Sequence, residues 1–331
     1  MASAQPVVIE FKGICNASGA VAIDADTILV GDDEVSVLSQ YRLTGGSLER
    51  QIPLDPSFGL KEADLEAGTV LGDRVVWIAS HGRNSDGKPR PDRRQLFASH
   101  RIGRDTGTLT EAFSASFHGL LHALLQQTGA AFDVIKAAIG DPAIADPDLA
   151  PKRRGFNIEG MTADSSGTAL MIGLRNPLRD ERALVIRVDN PHPLLNGRTT
   201  QAIVGPVHEL DLGKRSIRDF EWSAAHQAYL IIAGQLDDDR PGPGFAAYKW
   251  DGTGQPVQVF DFGDFGRDYD HFQPEVILPL PARVAGRLSP SKRVLVLSDD
   301  GKRPRTGGRT CKDTNLPKAE RSFRGVIATV G

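Results

Sequence analysis

Ile158-Glu159-Gly160-Met161, followed by Ala169-Leu170-Met171-Ile172-Gly173-Leu174-Arg175-Asn176, is the stretch on which the reading of this chain turns. A short segment with a glutamate leads, within 8 to 20 residues, to an apolar strand that ends in polar residues. The same phrase recurs with Leu65-Glu66-Ala67-Gly68, Phe220-Glu221-Trp222-Ser223 and Pro274-Glu275-Val276-Ile277. A fifth copy, Ser18-Gly19-Ala20-Val21-Ala22-Ile23, has serine where the others have glutamate. The apolar strands that follow them, with their polar endings, are Ile28–Asp33, Val75–His81, Tyr229–Gln235 and Val294–Asp300. A repeat that keeps polar residues in register, and not only apolar ones, points to a site as well as a fold.

The intervals between the marked positions are 48, 93, 62 and 54 residues. A period of roughly 40–50 residues with several short strands per unit is that of a β-propeller blade. The first unit reads as four strands, with Gly45-Gly46 turning between the last two. The fifth unit runs out of chain after Phe323–Val330, one strand short, whereas Val7–Phe11 precedes the first unit unused. Pairing those two segments closes the ring and removes its open sheet edges. The expectation is an all-β, five-bladed propeller over residues 1–331, with six blades the alternative. The long interval holds apolar residues at helical spacing in Phe117–Leu125 and a second helical stretch at Ala131–Ile139. Residues 112–152 are therefore read as a helical insertion between blades two and three, serving as a lid, as packing or as an oligomer contact. His118 and His122, four apart, have metal spacing but no third ligand, so solvent or packing is the reading there.

Composition supports a buried core: 40% hydrophobic and 24% charged. Lys and Arg (39) nearly balance Asp and Glu (42), which gives no electrostatic case for nucleic acid. No apolar run reaches the length of a membrane span, and the N-terminus lacks a basic start and an apolar core, so the expectation is a cytoplasmic protein without a membrane partner. Cys15 and Cys311 are distant and lack metal spacing, so they read as two unpaired thiols. Nucleophile elbow, phosphate-binding loop, H-E-x-x-H and C-x-x-C are all absent.

Equivalent positions of successive blades form a ring around a propeller's channel. Ser18, Glu66, Glu159, Glu221 and Glu275 are thus expected at one level. Converging carboxylates repel, and an oxygen-only donor set suits a hard cation: Ca²⁺ first, Mg²⁺ or Mn²⁺ behind it. A second ring on the same face comes from the ends of the second strands. It carries Asp32, Asp33 and Glu34; His81, Arg83 and Asn84; Arg175 and Asn176; Gln235, Asp237 and Asp238; Asp299 and Asp300. His81, Asp32, Arg83 and Arg175 are the catalytic candidates, with Asn84, Asn176 and Asp299 as substrate contacts. Guanidiniums beside a cation suit an anionic small molecule, and a histidine suits proton transfer. The aspartates equally suit turns.

Ser80-His81-Gly82-Arg83-Asn84-Ser85-Asp86-Gly87, Asn157–Met161 and Ile172–Leu178 resemble the motifs of a bacterial propeller family known as a domain of unknown function. More distantly the chain is similar to phytase-like esterase propellers. The ring of one serine and several glutamates is similar to the central calcium site of five-bladed calcium-activated nucleotidases, the apyrases. Ser18, Glu66, Glu159 and Glu275 follow that pattern in order, whereas Glu221 stands where the apyrase ring has serine. The expectation is a calcium-dependent hydrolase of a phosphate ester or phosphoanhydride. A lactonase or carboxylic esterase, and a non-catalytic binding propeller with a structural ion, are the alternatives. The sequence leaves the oligomeric state open.

Overall fold

The computed structural model describes residues 7–54, 63–103, 106–236, 242–262, 271–311, 313 and 316–330. The strand β1 (Val7–Lys12) opens the chain. Blade one follows as β2 (Gly19–Ala22), β3 (Thr27–Gly31), β4 (Val37–Arg42) and β5 (Leu48–Pro53). Blade two is β6 (Leu65–Leu71), β7 (Arg74–Ala79), β8 (Leu96–Gly103) and β9 (Thr108–Glu111). The helices α1 (Leu120–Leu125) and α2 (Ala130–Ile139) come next. Blade three is β10 (Asn157–Ala163), β11 (Leu170–Asn176), β12 (Ala183–Val188) and, after the short helix α3 (Pro191–Leu195), β13 (Val204–Leu210). Blade four is β14 (Ser216–Ser223), β15 (Ala228–Gly234), β16 (Ala246–Trp250) and β17 (Val257–Asp261). The last part of the chain supplies β18 (Pro274–Pro279), the hairpin β19 (Ala282–Val284) and β20 (Arg287–Ser289), then β21 (Arg293–Ser298) and β22 (Ser322–Thr329).

Among the described residues these strands form five four-stranded antiparallel sheets, and the inner strands β2, β6, β10, β14 and β18 touch in cyclic order. The fifth blade is completed by β1, which pairs antiparallel with β22 in unbroken register from Val7↔Ile327 to Lys12↔Ser322. At that seam Phe11 stacks on Phe323 at 4.9 Å and Tyr41 meets both rings edge-on. The Tyr41 hydroxyl donates to the Lys12 carbonyl at 2.9 Å. Blade one is thereby tied to the closing strand by packing and by a hydrogen bond.

Each blade face is apolar because residues of the inner and middle strands meet the neighbouring blade, whereas the outermost strands β5, β9 and β17 are largely exposed. The core is accordingly divided into clusters that lie between blades. Leu29, Leu65, Trp77 and Phe97 fill one, Ile217, Phe220, Ile231 and Tyr248 another. The inner strands run close: a Cβ on Gly19 would lie 2.9 Å from the Ala67 backbone, so only glycine fits there. The helical insertion joins the core between blades two and three, burying Leu120, Leu121, Leu124, Ile135 and Ile139. His118 Nδ1 pairs with the Arg94 carbonyl at 2.8 Å, and His122 is exposed.

One expectation is overturned here. Cys15 and Cys311 are joined in a disulfide, with Cα atoms 5.8 Å apart across 296 residues of sequence. Closing the ring with the N-terminal strand brings the two ends of the chain together, which spacing along the sequence does not reveal. No helix among the described residues is long and apolar enough to cross a membrane.

Candidate functional site at the upper mouth of the channel

Four inner strands break register near their first residues, and each break leaves one residue outside the ladder. In β6 the pair Leu65↔Ala79 is followed by Ala67↔Ile78, which skips Glu66. In β10, Ile158↔Leu174 is followed by Gly160↔Gly173, which skips Glu159. In β18, Pro274↔Ser298 is followed by Val276↔Leu297, which skips Glu275. In β14 the skipped residue is Arg218, between Ile217↔Ala233 and Asp219↔Ile232. A bulge bends its strand and re-aims the extra side chain. The five positions at one level are thus Ser18, Glu66, Glu159, Arg218 and Glu275.

Glu221 does not belong to that ring. It sits in regular register opposite Leu230, three residues further down the channel. Matching Phe220-Glu221-Trp222 to the other copies by its glutamate shifts blade four by three residues. The apolar frame gives the right alignment: Ile217-Arg218-Asp219-Phe220 matches Ile158-Glu159-Gly160-Met161 in its first and last residues.

Arg218 is nearly inaccessible, its side chain 1% exposed. Its Nη1 donates to Glu159 Oε2 at 3.3 Å and to Glu275 Oε1 at 3.1 Å, and its Nη2 donates to the Gln235 carbonyl at 3.0 Å. Glu159 is also held at Oε1 by Arg175 Nη1 at 2.5 Å and by Asn157 Nδ2 at 3.1 Å. Arg175 Nε donates to the Leu236 carbonyl at 3.0 Å. Ser18 Oγ donates across the blade boundary to the Leu65 carbonyl.

Glu66 is different. It is half-buried on the channel wall, and among the described residues no hydrogen bond or ion pair reaches it. Burial, then the negative charges of Glu159, Asp64, Asp33 and Glu275, push its carboxyl well above the ordinary range. Asp64 accepts from Ser80 Oγ and pairs with Arg93 Nη1 at 3.0 Å. Asp64, Arg93 and Arg218 were not singled out from the sequence; Arg218 shows itself there only through the apolar frame.

Below this level the channel wall is stapled from blade to blade. Thr69 Oγ1 accepts from the Ala163 amide at 3.3 Å, and Thr162 Oγ1 from the Trp222 amide at 3.0 Å. Asp219 Oδ2 accepts from the Ile277 amide at 2.9 Å, and burial raises its carboxyl to about 8.

The expected second ring is dispersed. His81 is buried under the helical insertion: Nδ1 meets the Ala79 carbonyl at 2.9 Å and Nε2 has no partner. Burial, then the charges of Arg94 and His118, push its pKa down to about 4, beside a void of about 10 Å³ lined by Arg83, Arg94, Leu121 and Phe156. Arg83 spends its guanidinium on the carbonyls of Gly87, Ile139, Asp141 and Ile144, fastening the C-terminus of α2, and is no anion clamp. Asn84 Oδ1 accepts from the Asp86 and Lys88 amides within a turn. Asn176 Nδ2 donates to the Gly155 carbonyl at 2.6 Å. Asp299 Oδ1 caps the Gly301 amide at 2.8 Å. Asp32 Oδ1 caps the Glu34 and Val35 amides beside the disulfide, and burial raises it to about 7. Of the catalytic candidates only Arg175 reaches the ring. Asp237 and Asp238 lie outside the described residues.

The ring as built does not fit a central calcium ion. Glu159 already accepts from Arg175, Asn157 and Arg218, and Glu275 from Arg218, so the carboxylates that a cation needs are engaged by a guanidinium at the same level. Among the described residues no group of three or more acidic, histidine or cysteine side chains is placed to hold a metal. Arg218 supplies within the chain the positive charge that four converging glutamates lead one to expect from an ion.

No protein-family model and no curated protein matches the chain. Among solved structures it is similar to a glutaminyl cyclase from Myxococcus xanthus, at 12% identity and a TM-score of 0.45, over 98% of both chains. A PQQ-bound aldose sugar dehydrogenase from Streptomyces coelicolor is similar at 9% identity and a TM-score of 0.43, over 99% of this chain and 100% of that one. A protein of unknown function from Bacteroides thetaiotaomicron matches at 8% identity and a TM-score of 0.40, over 77% of this chain. The chain spans half the length of that last protein. At these identities and TM-scores the likenesses say nothing of what this chain does.

Proposed function

We propose that the chain is a hydrolase of neutral carboxylic ester or lactone bonds, working at the upper mouth of the channel with Glu66 as its proton-transfer group. The observation that carries this reading is the contrast between Glu66 and its neighbours. Glu159 and Glu275 are engaged by Arg175 and Arg218, whereas Glu66 faces the channel without a protein partner among the described residues. A carboxyl that burial and neighbouring negative charge hold above its ordinary range can serve as base and then as acid within one cycle. Ionised Glu66 takes a proton from water as the water oxygen attacks the carbonyl carbon. The same proton then passes to the leaving alkoxide as the C–O bond breaks.

Charge speaks against a phosphate dianion as substrate. Arg83 is committed to backbone carbonyls and Arg175 to Glu159. The mouth groups Glu66, Glu159, Glu275, Asp33 and Asp64 with Arg93, Arg175 and Arg218, a balance that does not attract a dianion. The test is a panel of p-nitrophenyl butyrate, γ- and δ-lactones and p-nitrophenyl phosphate with wild type and Glu66→Gln. Ester or lactone turnover without phosphate turnover is expected, falling about 10²- to 10⁴-fold in Glu66→Gln at unchanged fold. Full activity in Glu66→Gln, or turnover of the phosphate alone, overturns the reading.

A further inference from the structure

The lower mouth of the channel is built differently from the upper. In blades one to four the turn from the first strand to the second is short; Gly72 and Asp73 alone join β6 to β7. In blade five the same connection is lengthened by the β19–β20 hairpin. That hairpin leans toward blade one, with Arg283 Nη2 3.7 Å from Asp24 Oδ2. It forms one wall of a cavity of about 390 Å³ at the lower mouth, a size within the roughly 300–1,000 Å³ usual for small-molecule sites.

The walls are apolar, from Ile23, Val70, Leu278, Leu280 and Leu288, and Glu221 is the one ionisable side chain among the described lining residues. Glu221 Oε1 accepts from Thr69 Oγ1 at 2.9 Å, and among the described residues no cation pairs with it. Burial, and then the charge of Asp219, hold its carboxyl well above the ordinary range. The other charged or titratable groups near this end are accounted for. Asp219 is on the same strand, Asp24 and Arg283 pair at the rim, and His226 bonds Ser223 and the Val330 carbonyl. A carboxyl set into an apolar cavity without a counter-ion is complementary to a cation that brings its own hydrocarbon.

We propose that the lower cavity is a second binding site, for a small organic cation with an apolar body: its ammonium pairs with Glu221 and its hydrocarbon lies against Leu278, Leu280 and Leu288. The site is separate from Glu66 and does not depend on the reaction assigned to it. Burial holds the Glu221 carboxyl above the ordinary range, and binding a cation draws it toward its ionised form, so binding releases a proton and strengthens as pH rises.

Titration calorimetry with n-butylammonium, n-butanol and butyrate tests this, run in buffers of different ionisation enthalpy to count protons. The ammonium is expected to bind saturably with proton release, at least tenfold more tightly than the alcohol, and butyrate not to bind. Glu221→Gln, which keeps the shape and the threonine contact, should weaken the ammonium at least tenfold and abolish proton release. Leu288→Ala, on the half-buried hairpin, should weaken it several-fold and leave proton release intact. Equal binding of ammonium and alcohol, no saturable heat, or wild-type affinity in Glu221→Gln each overturn the proposal.

Discussion

Replacing Arg218 with serine is the sharpest probe of the ring, because it removes the guanidinium that bridges Glu159 and Glu275 and leaves the room it occupied. Both contacts are short, at 3.3 and 3.1 Å, and the side chain is 1% exposed. Removing one partner of such a buried pair costs about 3–5 kcal/mol. An unfolding entropy of about 2.1 cal/mol/K per residue amounts to about 0.7 kcal/mol/K over this chain, so the melting temperature should fall by about 4–7 °C. The variant also frees carboxylate oxygens at the level of Ser18 and Glu66, so calcium should restore part of the loss. At a hundredfold excess over its Kd, calcium returns about 2.7 kcal/mol, or about 4 °C. The assay is differential scanning fluorimetry of wild type and Arg218→Ser, each with chelator and with millimolar Ca²⁺, paired with elemental analysis. Wild type should be indifferent to both and the variant should respond. A wild-type protein that carries one equivalent of calcium and loses stability to chelator refutes the assignment of the central charge to Arg218. So does a variant that melts with wild type.

The remaining predictions concern protonation, the closing seam and the disulfide. Asp32, raised to about 7 in the fold, is ionised in the unfolded chain above its ordinary 3.8. It therefore destabilises the fold increasingly as pH rises from about 4 to 7, and Asp32→Asn should gain on wild type over that window in urea melts and not below it. Phe11→Ala removes the ring stacked on Phe323 and should cost about 3–5 kcal/mol, with proteolysis of β1 the early sign of an opened seam. Thiol titration in non-reducing guanidinium should find no free thiol. Reducing the Cys15–Cys311 bond, which spans 296 residues, should lower stability by about 6 kcal/mol by the loop-entropy estimate; two free thiols before reduction contradict the bond.

Much of the architecture was legible in the chain. The repeat period, the alternation of apolar residues and the spare segments at both ends led to five blades, to β1 on β22 and to a helical insertion. The hairpin β19–β20 was not, because strands of three residues are too short for their alternation to stand out. The site was legible in part. Glu66, Glu159 and Glu275 stand at matching register breaks of their inner strands. Glu221 was misplaced because one glutamate three residues from the true position looked like the missing member. His81, Arg83 and Asn84 follow β7 and Asn176 ends β11, but their side chains turn to backbone groups and packing.

What the sequence by itself determined is whatever depends on local period: strands, their order, and the repeated position from which side chains reach the channel. What only the tertiary structure decided is which partner each of those side chains meets. Arg218 meets two carboxylates from neighbouring blades, Cys15 meets Cys311, and Glu66 meets no protein donor among the described residues. The physical reason is the same in each case. Periodicity is set by a residue's neighbours in the chain, whereas charge compensation, cross-linking and desolvation are set by groups that only ring closure brings within a few ångströms.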